Sequence, residues 1–377
     1  MRGVTPEAAS LLVDARALGA SGIGRYLSEI LARLLANPPF GRIALLGSAP
    51  QLEAFVESHP SPARVEVMLH AGRTYSMRSQ MSWARLRLAG KASADVAFFP
   101  HWDAPLILPC QRSVVTVHDL IHFRVPDAFP PLRRMVARAV LHRVVSGATR
   151  IIVDSEWTRG DLLGDEPGTA DRVRVVPLGV GSEFHAPTLA VRPAHPVREP
   201  FLLCVGTKKR HKNLAAAVEV LARLRQRHPD LQLVVAGEAA AGWDDVLGRA
   251  AALDVRAAVV DLPVVPDAEL RALYGRCAVF LFPSRYEGFG LPVLEAMACG
   301  APVVASYASS IREVAGEAAL LFDPDDAAGM ADAVHHLLTH PEVRARMARL
   351  GAAQASRFSW EETARQTAQV LQEAAAA

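Results

Sequence analysis

The chain has 377 residues, which exceeds what one hydrophobic core usually supports and therefore predicts two domains. Apolar residues make up 51% and charged residues 21%, a balance typical of a soluble globular protein. The four cysteines lack metal-binding spacing, and no stretch reaches the roughly 18 to 20 apolar residues of a membrane span. Because no signal peptide opens the chain, we expect a cytoplasmic protein without disulfides.

Positive charge is concentrated in one part of the chain. Residues 71–150 carry 12 Lys and Arg against 4 Asp and Glu, whereas the whole chain has a formal net charge of +2. Nucleic acid would favour a basic surface rich in aromatic residues, but these are only 6% here, so we expect no nucleic-acid partner. Two helix-like segments, 73–91 and 132–150, mix arginines with apolar residues. They indicate either a solvated basic face or a peripheral contact with an anionic membrane at the inner face of the plasma membrane.

Short apolar runs alternate with helical patterns in the first half of the chain, as in a Rossmann-like sheet. Residues 11–14 are predicted to form a strand, residues 15–24 a loop, and Arg25 to open a helix. Gly22 and Gly24 then lie at a strand-to-helix turn, where bare amides can approach a phosphate, although a plain turn fits the same pattern. Further strand-like runs cover residues 43–46, 65–69, 96–99, 114–117, 151–153 and 173–177.

Two histidines follow predicted strands. His118 comes directly after residues 114–117, and His101 comes shortly after residues 96–99. Ligands bind beyond the carboxyl ends of the strands in open α/β sheets, so both are candidate site residues. A histidine held within a loop by hydrogen bonds is the alternative for each.

A second strand–helix series begins at Phe201, after a proline-rich segment that predicts a linker and a domain boundary at residues 190–191. The first strand of this series, residues 201–206, is followed by a basic run, residues 208–212. A basic run at a strand-to-helix turn suits a diphosphate, although an ordinary loop with solvated basic side chains is the alternative.

Two glutamates flank a glycine-bearing loop and a helix start in residues 278–302. An apolar strand there precedes Glu287, and Pro292 marks the first turn of a helix that ends before Gly300. The amides of Gly290 and Leu291 at this helix N-terminus suit a phosphate. Glu295 is expected in the first turn of that helix. Glu287 and Glu295 are predicted to flank that anion site and to accept hydrogen bonds from a ligand rich in hydroxyls, such as a sugar or a ribose.

Residues 287–295 (EGFGLPVLE) resemble the E-x7-E signature of the retaining, GT-B-fold glycosyltransferases of family 4, the "group 1" transferases. Residues 115–120 (VTVHDL) resemble the TxHD segment of that family, and residues 205–213 resemble its VGT…RKN segment. The resemblance covers nearly the whole chain and is most specific in residues 205–324.

The resemblance implies roles for individual residues. Glu287 and His118 would act on the donor sugar as the catalytic pair, Glu295 would hold the nucleotide ribose, and Lys212 would bind phosphate. A second phosphate contact stays open among Lys208, Lys209 and Arg210, because His211 and Arg210 depart from the family pattern. The remaining implied donor-binding residues are Gly22, Gly24, Thr207, Phe289, Gly290 and Leu291, and the implied acceptor-side residues are Arg25 and His101.

The implied fold is GT-B, with two Rossmann-like domains facing across a cleft. Residues 1–190 would form the acceptor domain, with a final helix 358–377 packed back on it, and residues 191–357 would form the donor domain. The implied reaction moves a hexose, best matched by mannose, from a GDP- or UDP-linked donor to a glycan or lipid-diphosphate-linked acceptor in surface-polysaccharide synthesis. No metal or other cofactor is expected. The alternatives are a GT-B sugar-nucleotide 2-epimerase and a noncatalytic sugar-nucleotide-binding protein.

Overall fold

The chain folds into two compact units. The computed structural model describes residues 9–19, 21–70, 76–90, 93–107, 109–125, 130–185 and 193–377. Among these, the first unit takes residues 9–123, 130–178 and 360–377, and the second takes residues 124–125 and 179–359. The chain thus enters the second unit at Gly179, and residues 190–191, where the sequence predicts the boundary, lie outside the described residues.

Seven parallel strands form the sheet of the first unit, and each of them is short and mostly apolar. The strands are β1 (Ser10–Asp14), β2 (Arg42–Gly47), β3 (Arg64–Leu69), β4 (Val96–Phe99), β5 (Ser113–Val117), β6 (Arg150–Val153) and β7 (Val173–Val175). The helices between them are α1 (Ser21–Ala36), α2 (Ala49–Ser58), α3 (Met77–Leu88), α4 (Ile121–Arg124), α5 (Pro131–Gly147) and α6 (Glu156–Asp165).

Six parallel strands form the sheet of the second unit. They are β8 (Phe201–Val205), β9 (Gln232–Ala236), β10 (Val259–Leu262), β11 (Val279–Phe282), β12 (Val303–Ser306) and β13 (Ala319–Phe322). The helices are α7 (Leu214–Arg225), α8 (Trp243–Ala252), α9 (Asp267–Arg276), α10 (Leu291–Ala298), α11 (Ile311–Ala315), α12 (Ala327–Thr339) and α13 (Pro341–Ala355). The last helix of the chain, α14 (Trp360–Ala376), belongs to the first unit, where it packs on α1.

The strand order reverses direction once in each sheet. The first sheet runs β3-β2-β1-β4-β5-β6-β7, and the second runs β10-β9-β8-β11-β12-β13. The chain therefore moves outward in one direction from β1 and from β8, and in the other direction from β4 and from β11. Such reversals leave a crevice at the carboxyl ends of the two central strands, which is where open α/β sheets bind ligands.

Most predicted elements are confirmed, but α1 begins four residues earlier than the sequence predicts. Gly22 and Gly24 therefore lie in the first turn of α1 rather than in a loop. A Cβ atom on Gly24 would lie 2.7 Å from the carbonyl oxygen of Ala17, whereas a Cβ atom on Gly22 would meet nothing within 4 Å. Gly24 is therefore required by the close approach of the helix to the preceding loop, a packing reason that the glycine pattern alone does not reveal.

These two glycines make a matched pair of variants. Gly24→Ala should lower the free energy of unfolding by about 1 to 3 kcal/mol, because the new methyl group meets backbone atoms that have little freedom to move. Gly22→Ala should leave it unchanged or raise it by up to about 1 kcal/mol, as expected for a helical glycine in open space. Urea unfolding followed by circular dichroism measures both, and equal stability of the two variants would contradict the packing role of Gly24.

Candidate functional site

Lys212 and Glu287 meet at the strand-order reversal of the second unit. Lys212 ends a short 3₁₀ turn after β8, and Glu287 lies in the loop after β11, the neighbour of β8 in the sheet. The Nζ atom of Lys212 donates a hydrogen bond to Oε1 of Glu287 at 2.7 Å. The two side chains are only 15% and 12% exposed. The sequence predicts both as site residues, and the structure brings them into direct contact.

Serine side chains from neighbouring segments hold the loop that carries Glu287. Ser284 Oγ donates to the same carboxylate oxygen at 2.6 Å, and Ser309 Oγ accepts the backbone N–H of Glu287 at 2.7 Å. Ser310 Oγ lies 2.9 Å from the carbonyl oxygens of Glu287 and Phe289 and donates to them. These serines are not among the predicted site residues. Their hydrogen bonds fix the carboxylate in place before any ligand arrives.

Glu295 lies in the second turn of α10, not in the first as the sequence predicts. Its side chain is buried, and Oε2 accepts a hydrogen bond from the hydroxyl group of Tyr274 at 3.0 Å. A buried carboxylate needs such partners because leaving one without them costs several kcal/mol. Tyr274, from α9, is a contact that the sequence pattern does not reveal.

The N-terminus of α10 places backbone amides beside the loop. Gly290 is the N-cap residue with φ +108°, a conformation that favours glycine, and the helix begins at Leu291. The first amides of a helix have no acceptor within it, so those of Gly290 and Leu291 suit an anion, as predicted. The side chain of Phe289 is instead buried edge-on against Phe358, with the ring centroids 5.9 Å apart. The ring of Phe289 thus packs within the second unit, and its role in donor binding stays a prediction.

The basic run after β8 separates into residues with different environments. Lys208 is 3% exposed, and its Nζ donates to the carbonyl oxygens of Gly237 and Leu262 and pairs with Asp261. Lys208 is thus committed to the fold and is removed from the three candidates for a second phosphate contact. Lys209 and Arg210 are exposed and remain candidates.

His211 supplies no second cation. Burial, which outweighs the attraction of the nearby Glu287 carboxylate, lowers the pKa of His211 to about 4. The imidazole is therefore neutral at pH 7. Thr207, another predicted donor-binding residue, is half-buried two positions after β8, and its carbonyl oxygen accepts the backbone N–H of Lys209.

His118 in the first unit is held at both ring nitrogens. Nδ1 lies 2.7 Å from Oδ2 of Asp154, and Nε2 lies 2.8 Å from the carbonyl oxygen of Pro100. Because a carbonyl oxygen only accepts, Nε2 carries a proton, and the buried carboxylate favours a second proton on Nδ1. Burial lowers the pKa of His118, but the charge and hydrogen bond of Asp154 outweigh it and raise that pKa above its ordinary value. Burial also raises the pKa of Asp154, whereas the charge and hydrogen bond of His118 lower it. Because oxygen atoms of Asp154 and Pro100 face the two ring nitrogens, we place the shared proton on His118.

The two predicted acceptor-side residues have distinct environments. The Nδ1 atom of His101 accepts the backbone N–H of Asp103 at 2.9 Å, and its ring stacks on Trp102. Burial, reinforced by the charge of His118, holds the pKa of His101 well below its usual range, so this histidine is neutral. Arg25 is half-buried in the second turn of α1.

A buried arginine that the sequence does not single out lies at the strand-order reversal of the first unit. Nε and Nη2 of Arg16 bind the carboxylate of Asp14, at the end of β1, at 2.8 and 2.6 Å. Nη2 also donates to the carbonyl oxygen of Asp103, after β4, at 2.9 Å, and Nη1 donates to Ser79 of α3. This arginine joins the segments that follow β1 and β4, so it orders the crevice of the first unit.

Comparison with a solved structure identifies the fold class. The crystal structure of Anabaena Alr3699/HepE in complex with UDP and glucose matches 97% of this chain and 100% of that one, with a TM-score of 0.72 and 18% identity. The fold is GT-B, with two Rossmann-like domains, as the sequence predicts.

Sequence relatives define the family. The model described as "Glycosyl transferases group 1" matches residues 187–354, and that of "Glycosyltransferase Family 4" matches residues 20–184. The O-antigen chain mannosyltransferase B of Escherichia coli is 31% identical over 92% of this chain and 94% of its own. The D-inositol 3-phosphate glycosyltransferase of Pseudarthrobacter chlorophenolicus is 34% identical over 70% of this chain and 64% of its own. The chain therefore belongs to the group 1 glycosyltransferases of family 4. Among the described residues, we find no helix with the length and hydropathy needed to cross a membrane.

The contact between His118 and Asp154 should be visible in the pKa of His118. In a ¹⁵N NMR titration, we expect His118 to have a pKa above the ordinary value near 6.5, and Asp154→Asn to lower it by removing the charge. Because the pKa is raised in the folded state, the stability that the pair contributes is complete below about pH 6.5 and is lost as the pH rises through the raised pKa. His101 serves as the internal control, since its pKa is held well below the ordinary value for histidine. A pKa of His118 that is unchanged by Asp154→Asn would contradict the pairing.

Proposed function

We propose that the protein is a retaining hexosyltransferase that moves mannose from GDP-mannose to a hydroxyl group of a glycan or lipid-diphosphate-linked acceptor. The observation that carries the proposal is the Lys212–Glu287 contact at the reversal between β8 and β11. A cation for a diphosphate and a carboxylate for sugar hydroxyls lie together there, beside the amides that begin α10.

The choice of sugar and pathway rests on the names of relatives. The Escherichia coli relative that matches nearly the full length of the chain is named for mannosyl transfer to the O-antigen chain. We therefore take mannose as the sugar and surface-polysaccharide synthesis as the setting.

In the proposed reaction, the acceptor oxygen forms a bond to the anomeric carbon as the bond from that carbon to the donor phosphate breaks. Lys212 and the first amides of α10 stabilise the negative charge that develops on the departing diphosphate. Glu287 accepts hydrogen bonds from the sugar, and Glu295 accepts them from the ribose. The proton of the acceptor hydroxyl passes to an oxygen of the departing phosphate, and the new bond forms on the face that the phosphate leaves, so the anomeric configuration is retained.

His118 is the residue of the first unit that we propose turnover depends on. With one nitrogen bonded to Pro100 and the other to Asp154, its ring contributes positive charge and shape rather than accepting a proton. Proton transfer is accordingly assigned to the departing phosphate. His118→Gln keeps a donor at this position without the charge and would separate the two contributions.

Lys212→Met provides a test of the phosphate assignment. It keeps the length of the side chain and removes the charge, so it should weaken a nucleoside diphosphate by about 1.5 to 3 kcal/mol while leaving the nucleoside nearly unchanged. Isothermal titration calorimetry with guanosine and GDP measures the difference. Lys208→Met is not a fair control, because Lys208 is buried and bonded in the fold, and Lys209 stays a candidate for the second phosphate contact. Arg223→Met, which removes an exposed charge on α7, is used instead. An equal loss for both ligands would remove Lys212 from the phosphate site.

A panel of sugar nucleotides tests the proposed donor and the reaction. GDP-mannose should raise the melting temperature most among GDP-, UDP- and ADP-sugars, since ligand at 100 times its dissociation constant stabilises by about 2.7 kcal/mol. Transfer should require an acceptor, retain the anomeric configuration by ¹H NMR, and continue unchanged in EDTA. Interconversion of sugar nucleotides without an acceptor would favour an epimerase. Tight binding without turnover would favour a noncatalytic protein, and loss of activity in EDTA would contradict the metal-free mechanism.

A further inference from the structure

Helices α3 and α5 cover the same face of the first sheet. Trp83 of α3 and Leu141 of α5 belong to one buried cluster, together with side chains from six strands of that sheet. The strand residues in this cluster alternate along each strand, for example Ala97 and Phe99, so they all lie on one face. The opposite sides of both helices therefore point away from the sheet.

The outer side of each helix is a stripe of exposed basic and apolar residues. The members of each stripe follow a spacing of 3 or 4 residues or multiples of it, which places them on one face of their helix. Neither helix contains a single Asp or Glu. The members of the stripes are Arg78, Met81, Arg85 and Leu88 on α3, and Leu132, Met135, Val136 and Arg143 on α5.

The apolar members are large and well exposed. Leu132, Met135 and Met81 are 69%, 64% and 54% exposed, respectively. Isolated apolar residues on a surface are ordinary, but a set that repeats on two helices of one face marks an interaction surface. Arg78, Arg85 and Arg143 are exposed, so an external anion can reach them.

The loop after β4, at the carboxyl end of the sheet, extends this surface beside α3. The side chain of Gln80 on α3 accepts the backbone N–H of Leu106 at 3.0 Å and donates to the carbonyl oxygen of Ala104 at 3.3 Å. Leu106 and Ile107 are exposed. Arg138 of α5 lies over the ring of Phe123, a buried residue of α4. We define the basic–apolar surface as the two stripes together with Leu106 and Ile107.

We propose that the basic–apolar surface docks on an anionic lipid bilayer, with arginines on the headgroups and the aliphatic side chains inserted among them. Charge complementarity carries the choice of partner, because the surface is basic and lacks carboxylates on both helices. The exposed apolar residues are aliphatic or Met, which suits a lipid interface, whereas nucleic acid is bound through stacking aromatic side chains and polar contacts. Docking of this kind holds the protein at the membrane without a spanning helix.

Cosedimentation with vesicles tests the proposal on the full chain. Binding should be strong for phosphatidylglycerol–phosphatidylcholine vesicles, weak for phosphatidylcholine alone, and reduced at high salt. The charge variant Arg78→Gln/Arg85→Gln/Arg143→Gln should lower partitioning by roughly 100-fold, since each basic residue near the surface contributes about fivefold. The apolar variant Leu132→Gln/Met135→Gln/Val136→Thr should lower it by about tenfold or more.

The matched control removes the same charge elsewhere. Arg223→Gln/Arg346→Gln/Arg349→Gln alters three exposed arginines of the second unit and should leave vesicle binding unchanged. Melting temperatures of all three variants must equal that of the wild type, which excludes unfolding as the cause. Equal binding to neutral and anionic vesicles, equal loss in the control, or retention of binding in the apolar variant would overturn the proposal. If the apolar variant retained vesicle binding and the protein bound DNA as well as it binds anionic vesicles, the surface would be assigned to polyanions in general.

Discussion

The hydrogen-bonded ion pair between Lys212 and Glu287 joins the segments that follow the two central strands of the second sheet. Each side chain is mostly removed from water, so each needs the other's charge, and truncating one would leave a poorly solvated charge behind. Ser284, Ser309 and the backbone then hold the loop around that pair. The proposed donor site depends on this constraint, because a diphosphate arriving at Lys212 meets a cation that is already positioned, and Glu287 is released toward sugar hydroxyls.

The first unit uses a histidine in a different way. Both nitrogens of His118 are bonded within the unit, so its ring offers charge and shape, whereas Lys212 has donors that a ligand can take over. Like His118, Arg16 is bonded within the first unit: at the reversal between β1 and β4 it binds Asp14 and the backbone of Asp103. Polar groups that follow neighbouring parallel strands converge at the same edge, which is why one sheet topology builds both sites.

The sequence predicts the strands, the helix that follows Glu287 and the candidate basic and acidic residues around it, because those depend on local periodicity and on a long motif. It does not predict that Lys212 and Glu287 pair with each other. It predicts poorly wherever packing decides. Gly24 looks like part of a phosphate loop but is required by contact with Ala17, and Lys208 looks like a ligand-binding cation but is buried against Asp261. The partners of Glu295 and His118, namely Tyr274 and Asp154, lie 21 and 36 positions away in the chain. No local pattern specifies such pairs.

A crystal structure with a bound nucleoside diphosphate measures the central claim most directly. We expect the terminal phosphate to lie within hydrogen-bonding distance of Lys212 Nζ and of the amides at the start of α10, with a ribose hydroxyl on Glu295. We also expect the 2.7 Å contact between Lys212 and Glu287 to lengthen or open as the phosphate takes its place. A diphosphate bound elsewhere, with that contact unchanged, would contradict the account.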